Sequence, residues 1–194
     1  MRGLTDDVRA TLTRIQNDLF DVGADLCNPL VVGEESAQYP PLRVKAEWID
    51  ELEADCDRYN EQVEKLRSFI LPGGTPGSAY LHLACTIVRR AERSTWAAVG
   101  AYGDAPAEPR KRGKDKGGDE AAATAEATQA EGSGEHDEHA RPGGVNLLTA
   151  KYLNRLSDLL FILARVANVD AGGDVLWKPG GGREESSRSS RGKA

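Results

Sequence analysis

The chain has 194 residues, 39% of them hydrophobic and 29% charged, enough for one domain with a real core. Its 25 Lys and Arg are outnumbered by 31 Asp and Glu, so a net charge of -6 gives the surface no general attraction for nucleic acid or anionic lipid. Residues 1–10 contain no apolar leader and no run of about 18 apolar residues follows, which predicts a cytoplasmic protein with neither nucleic acid nor membrane as partner.

The first apolar-periodic segment covers residues 6–25. Val8, Leu12, Ile15, Leu19 and Val22 recur at spacings of three and four, one face of a helix that Pro29 stops at the latest. After Pro40 and Pro41 the same period returns at Val44, Trp48, Leu52, Cys56, Tyr59, Val63 and Leu66, predicting a second helix over 44–67. The loop LPGGTPGS at 71–78 leads into a third helix with a stripe of mostly small residues, Leu81, Ala84, Val88, Ala91, Thr95 and Ala98, that lets a neighbour approach closely. The fourth, over 145–168, is apolar almost all round and reads as the central helix.

Between the third and fourth helices, residues 103–144 contain no Leu, Ile, Val, Met, Phe, Tyr or Trp and cannot bury a core. The expected organisation is therefore one all-α antiparallel bundle built from 1–102 and 145–178, with a disordered low-complexity insertion at 103–144 and a disordered tail at 179–194. His136 and His139 within the insertion read as solvated residues and not as a metal pair, and the basic run at 109–116 lacks interleaved aromatics. Cys27, Cys56 and Cys85, far apart and without a CxxC, read as reduced thiols packed as small hydrophobes.

Two constellations carry possible chemistry. On the third helix His82, Cys85, Arg89, Glu92, Arg93 and Trp96 share one face. On the fourth, Asn154, Asp158 and Arg165 recur within apolar surroundings, with Arg155 beside them. Buried charges are costly unless paired, so the expected arrangement sets Asn154 and Asp158 against Arg89, Arg90 and Arg93 and leaves a cationic surplus suited to a polyphosphate. The competing reading is a structural ion-pair network or a solvated face. The Gly-rich loop reads as a turn with Thr75 or Ser78 as helix cap, although a helix start can also receive an anion. Phe69, just before it, reads on composition alone as a core aromatic.

IQNDLFDVGADL (15–26), SFILPGG (68–74), RRAER (89–93) and YLNRLSDLLFILAR (152–165) occur in the order found in the PduO-type ATP:cob(I)alamin adenosyltransferases, which this chain resembles over all four helices. The resemblance implies a five-helix bundle, of which four are present here, and a homotrimer with sites between subunits. It implies transfer of the 5′-deoxyadenosyl group of ATP to cob(I)alamin or a corrinoid precursor, with release of triphosphate and with Mg accompanying ATP. Arg89 and Glu92 then match contacts to ATP and its metal-bound phosphates, and Asn154 matches a further ATP contact. Phe69 matches the aromatic beneath the corrin, while Arg90, Arg93, Arg155 and Asp158 support the site. A reductase or an adenosylcobalamin-dependent mutase is an implied protein partner.

Two departures accompany the resemblance. The family's Gly-rich segment of the TRTGDDGTTGL kind and its first helix are not found ahead of the IQNDLF helix, and Cys85 stands where the family has an Arg that pairs with an Asp of that helix. The expectation is either a start assigned too far downstream or a degenerate paralogue, with apolar surface exposed on the remaining helices. The alternatives are a non-catalytic corrinoid-binding paralogue and a structural helical interaction module.

Overall fold

The structure is a computed structural model that describes residues 4–109 and 143–180. Four helices carry it: α1, Asp6–Cys27; α2, Ala46–Asn60; α3, Pro76–Tyr102; and α4, Leu147–Val166, with short 3₁₀ turns at Glu34–Ser36 and Val169–Ala171. Side chains start three of them. Thr5 accepts from the Val8 amide, Thr75 from the Ser78 amide with Pro76 in the first turn, and Asn146 from the Leu148 amide, each satisfying a donor that a helix leaves open at its start.

The helix α4 is central, as its composition predicts. Tyr152, Leu153, Leu156, Leu159, Leu160, Leu163 and Ala164 are all buried, and α4 touches each of the other three helices. Cross-helix contacts give the directions. Thr75 meets Ala167, His82 meets Phe161 and Glu92 meets Asn154, so α3 and α4 run antiparallel. Val44 lies by Asn146, Glu53 by Arg155 and Glu64 by Arg165, so α2 runs parallel to α4, as alternate helices of an up-and-down bundle do. Among the described residues there is no strand, only isolated bridges joining Val31 to Ala107 and Ile70 to Leu176.

The second helix ends at Asn60, seven residues short of the predicted Arg67. Its last amides tighten, with Gln62 donating to the Tyr59 carbonyl and Val63 to that of Asn60, and the Arg165 guanidinium then takes the Glu64 carbonyl. The physical reason is register: Glu64 is level with Arg165, where α4 is about to stop at Val166, so further turns of α2 would have no partner to cover them. Val63 and Leu66 continue the apolar period, yet Leu66 is exposed.

The two ends of the expected insertion are tied together. Gly144 accepts from the Leu30 amide and donates to the Ala105 carbonyl, Ala107 donates to Leu30, and Val145 donates to Gly103, where α3 stops at a left-handed φ of 79°. Residues 110–142, with His136, His139 and most of the basic run, lie outside the described residues, as do 181–194.

Candidate functional site

The face of α3 that begins at His82 divides along its length. His82 and Cys85 are buried, His82 with its ring edge against Phe161, and burial pushes its pKa down while Asp174 opposes that shift. One turn further on the face opens: Arg89, Arg90, Arg93 and Trp96 are exposed and Glu92 is half-buried.

Two contacts hold this cationic stretch against α4, and a third runs along α3 itself. The Arg89 Nε lies 3.5 Å from Ser157 Oγ, at the limit of a hydrogen bond; the Asn154 amide donates to Glu92 Oε1 at 3.0 Å; and Arg93 Nη1 donates to the Arg89 carbonyl at 3.2 Å. Cys85 fills the seam beneath, its thiol donating to the Ser157 carbonyl at 3.3 Å. Burial pushes the Cys85 thiol up, and Arg89 partly offsets this, so it is a packed thiol and no nucleophile. Cys56 behaves alike, pushed up to about 12 by burial, whereas Cys27 is exposed.

The expected pairing of Asp158 with the α3 arginines is not what forms. Asp158 accepts from Arg155 at 3.2 Å, and Arg155 also pairs with Glu53 of α2. Successive helix residues are about 100° apart, so once Asn154 and Ser157 point at α3, Arg155 and Asp158 point towards α2. Asn154 does face α3, but it meets Glu92 and not a guanidinium. Among the described residues Arg89, Arg90 and Arg93 have no carboxylate partner, so the cationic surplus on α3 is larger than sequence reasoning anticipates.

Phe69 lies towards the start of α3, and Arg89 follows Pro76 by about 20 Å of helix axis at 1.5 Å per residue. Phe69 is 78% exposed, which excludes the core role that its composition suggests. A short antiparallel clip presents it: Trp177 donates its amide to the Phe69 carbonyl, Leu71 donates to Val175, and the Trp177 ring meets Phe69 edge-on at 6.0 Å. Trp177 carries no periodic signal, and sequence reasoning misses it.

Behind the clip, the Gly-rich loop is closed by Asn168, a second residue the sequence does not reveal. Buried Asn168 accepts from the Thr75 amide at 2.9 Å and donates to the Gly73 carbonyl at 3.0 Å, while Ser78 donates to that same carbonyl. The Thr75 amide is thereby occupied, which favours the turn reading over an anion cradle. Gly74, at a φ of 97°, leaves no room for a Cβ, which would collide with the Asn168 carboxamide. Gly74→Ala is therefore expected to lower stability by more than about 1 kcal/mol. Chemical denaturation would check this, and an unchanged midpoint would remove Asn168 as the loop's anchor.

Among the described residues no helix is long and apolar enough to cross a membrane. On the outer side of α3, Tyr80, Leu83 and Ile87 form an exposed row at spacings of three and four.

Comparison with known proteins gives a consistent picture. A family model described as cobalamin adenosyltransferase matches residues 2–111. A corrinoid adenosyltransferase of Mycobacterium tuberculosis is 49% identical over 175 residues, which cover 90% of this chain and 68% of that protein. The corrinoid adenosyltransferase of Bacillus subtilis is 30% identical over 174 residues, 89% of this chain and 65% of that protein. Among solved structures, a variant of the PduO-type ATP:corrinoid adenosyltransferase from Lactobacillus reuteri, complexed with cobalamin and ATP, superposes with a TM-score of 0.59 at 27% identity, over 90% of this chain and 72% of that one.

Proposed function

This chain belongs to the cobalamin adenosyltransferase family, and on that premise we propose that it transfers the 5′-deoxyadenosyl group of ATP to the cobalt of cob(I)alamin, or of a corrinoid precursor, and releases triphosphate. The observation that carries the reading is the row of α3 guanidiniums with no carboxylate partner among the described residues, beside the Asn154–Glu92 contact. The non-catalytic and purely structural alternatives gain no support from relatives that bear a transferase's name.

Cob(I)alamin is itself a strong nucleophile, so the protein needs no general base. Its tasks are to place C5′ of ATP against the cobalt and to stabilise charge developing on the departing triphosphate. Arg89 offers a planar, always-charged donor set, and its neighbours Arg90 and Arg93 raise the local potential. Asn154 and Glu92 would orient the nucleotide, and Glu92 is the carboxylate near which Mg would travel with the phosphates, neutralising part of their charge. Arg155 and Asp158 would keep α2 and α4 in register behind the site. ATP is elongated, which suits a site whose cations lie some way along α3 from Phe69.

The exposed Phe69 would form the floor for the corrin. An apolar ring has no lone pair to give cobalt, and it keeps water from the lower face, leaving a four-coordinate centre that is easier to reduce. The exposed row at Tyr80, Leu83 and Ile87 supports assembly as a homotrimer with sites between subunits, because apolar rows of this kind are normally covered. A bundle domain bearing an insertion at 103–144 and a tail at 179–194, a cytoplasmic location, and a reductase or adenosylcobalamin-dependent mutase partner complete the proposal.

The test is incubation with ATP, Mg and reduced cobalamin, followed by detection of adenosylcobalamin and triphosphate; a corrinoid spectral change without either product would instead favour the non-catalytic reading. Phe69→Ala is expected to slow adenosylation by at least about tenfold while ATP affinity stays within about twofold. An equal loss of both would make Phe69 a packing residue only.

A further inference from the structure

The strap at 169–177, which follows α4 and backs Phe69 with Trp177, has little apolar burial to hold it down. Val169, Asp170, Ala171, Val175, Leu176 and Trp177 are all exposed, and Asp174 is the one side chain of the strap that is not. Backbone bonds join the strap to Phe69 and Leu71, but these are exposed as well, so burial fixes neither half of the clip. The anchor is Asp174.

Asp174 reaches inward between two helices. Its Oδ2 accepts from Arg165 of α4 at 2.8 Å, and Arg165 is itself held by donating to the Glu64 carbonyl. Its Oδ1 is closed to solvent and has no donor; by it lies Nε2 of His82, on α3, likewise buried and without a partner. Two such orphans are costly apart and complementary together. An imidazole N–H donates and a carboxylate oxygen accepts, so a direct bond or one bridging water satisfies both. The charge acting on His82 is that of Asp174, already shared with Arg165, while α4 presents only the edge of Phe161. Burial holds the His82 pKa below its usual value, so the ring is neutral at pH 7 and carries one proton, for which the Asp174 oxygen selects Nε2.

Resting on the reading of Phe69 as the corrin floor, we propose that His82 is a positioning residue for the transfer: its Nε2–H donates to Asp174, and this link seats the strap whose Trp177 sets Phe69 beneath the corrin. His82 is buried and acts on the corrin only through Asp174, Trp177 and Phe69.

The test is the rate of adenosylcobalamin formation at saturating ATP and cobalamin in the full chain and in His82→Leu, His82→Gln, Phe69→Ala and the double variant Phe69→Ala, His82→Leu. Circular dichroism checks each fold. His82→Leu keeps an apolar filler against Phe161 but no donor, and should slow the reaction by about tenfold with ATP affinity within about twofold, because small misplacements of positioning groups are costly. His82→Gln brings an amide N–H near the place of Nε2 and should recover most of the rate, which packing alone does not predict. In the Phe69→Ala background, His82→Leu should slow the reaction by less than about twofold more, since the ring it positions is gone. Equal losses in both backgrounds, or no rescue by Gln, would overturn the positioning role while leaving Phe69 as the corrin floor. An unimpaired Phe69→Ala would remove the reading of Phe69 and this proposal with it. Nitrogen-15 NMR of the unaltered chain reads the link without turnover: the His82 ring, assigned by its loss in His82→Gln, should carry its proton on Nε2 at neutral pH. A proton on Nδ1 instead would overturn the proposal whatever the rates.

Discussion

Replacing Arg89 by alanine is expected to lower adenosylcobalamin formation by at least about a hundredfold, the scale on which enzymes lose rate when one preorganised donor to a developing negative charge is removed. The fold should survive, because the Arg89 side chain is exposed and its only partner on α4 is Ser157 Oγ at 3.5 Å. The Cys85 thiol bond to Ser157 and the Asn154–Glu92 bond keep α3 on α4 without it. Arg89→Lys should recover only part of the rate, because an ammonium keeps the charge but not the two-pronged geometry. Near-normal turnover in Arg89→Ala at saturating ATP, with unchanged circular dichroism, would leave the phosphate assignment without foundation.

The second large effect is on stability and concerns Arg43, in the loop between α1 and α2. Its guanidinium donates to Asp25 at 2.6 Å, to both oxygens of Glu34 at 2.7 Å, and to the carbonyls of Asn28 and Pro29. The Asp25 side chain is fully buried, and its second oxygen accepts from the Val44 amide and from Asn146, the cap of α4, each at 2.7 Å. One carboxylate thus joins the end of α1, the approach to α2 and the start of α4. Arg43→Ala would strand it without a counter-charge, so the expected loss is about 3–5 kcal/mol, or roughly ten degrees in Tm for a chain of this size. Arg58→Ala offers a control: that side chain is 46% exposed and pairs with Asp7 and Asp55, and its loss should cost no more than about 1 kcal/mol.

Arg43 also sets a pH dependence. Its hydrogen bonds hold the Glu34 carboxyl below the usual 4.5. A lowered folded-state pKa means that the unfolded chain binds more protons in that window, so Glu34 contributes stability above its ordinary pKa and loses it as pH falls through the lowered value. Part of the acid-side decline in stability should therefore vanish in Arg43→Ala.

What the sequence revealed and what it hid have separable physical causes. The course of α1, α3 and α4 was legible because Val8, Ile15 and Val22, or Leu153, Leu156, Leu160 and Leu163, bury one face of a regular helix, and that period survives in the sequence. The end of α2 was not legible, because Val63 and Leu66 keep the period while the length of α4, a long-range fact, decides where coverage stops. Matching polar positions on two helices indicated that Asn154 faces α3 but not that Glu92 is its partner there, and the partner of Asp158 depended on a single 100° step that placed it towards α2. Arg43, Asn168 and Trp177 were invisible for a common reason: each acts from a loop or chain end, across many residues, and no local pattern marks a side chain whose partners are fixed only by the assembled bundle.

The claim on which the mechanism rests is that the α3 arginines receive the departing polyanion. Calorimetric titration of inorganic triphosphate into the unaltered chain and into Arg89→Ala addresses it without requiring turnover. Saturable binding to the unaltered chain that weakens by at least about tenfold in the variant is the predicted result. Identical isotherms for the two proteins would contradict it.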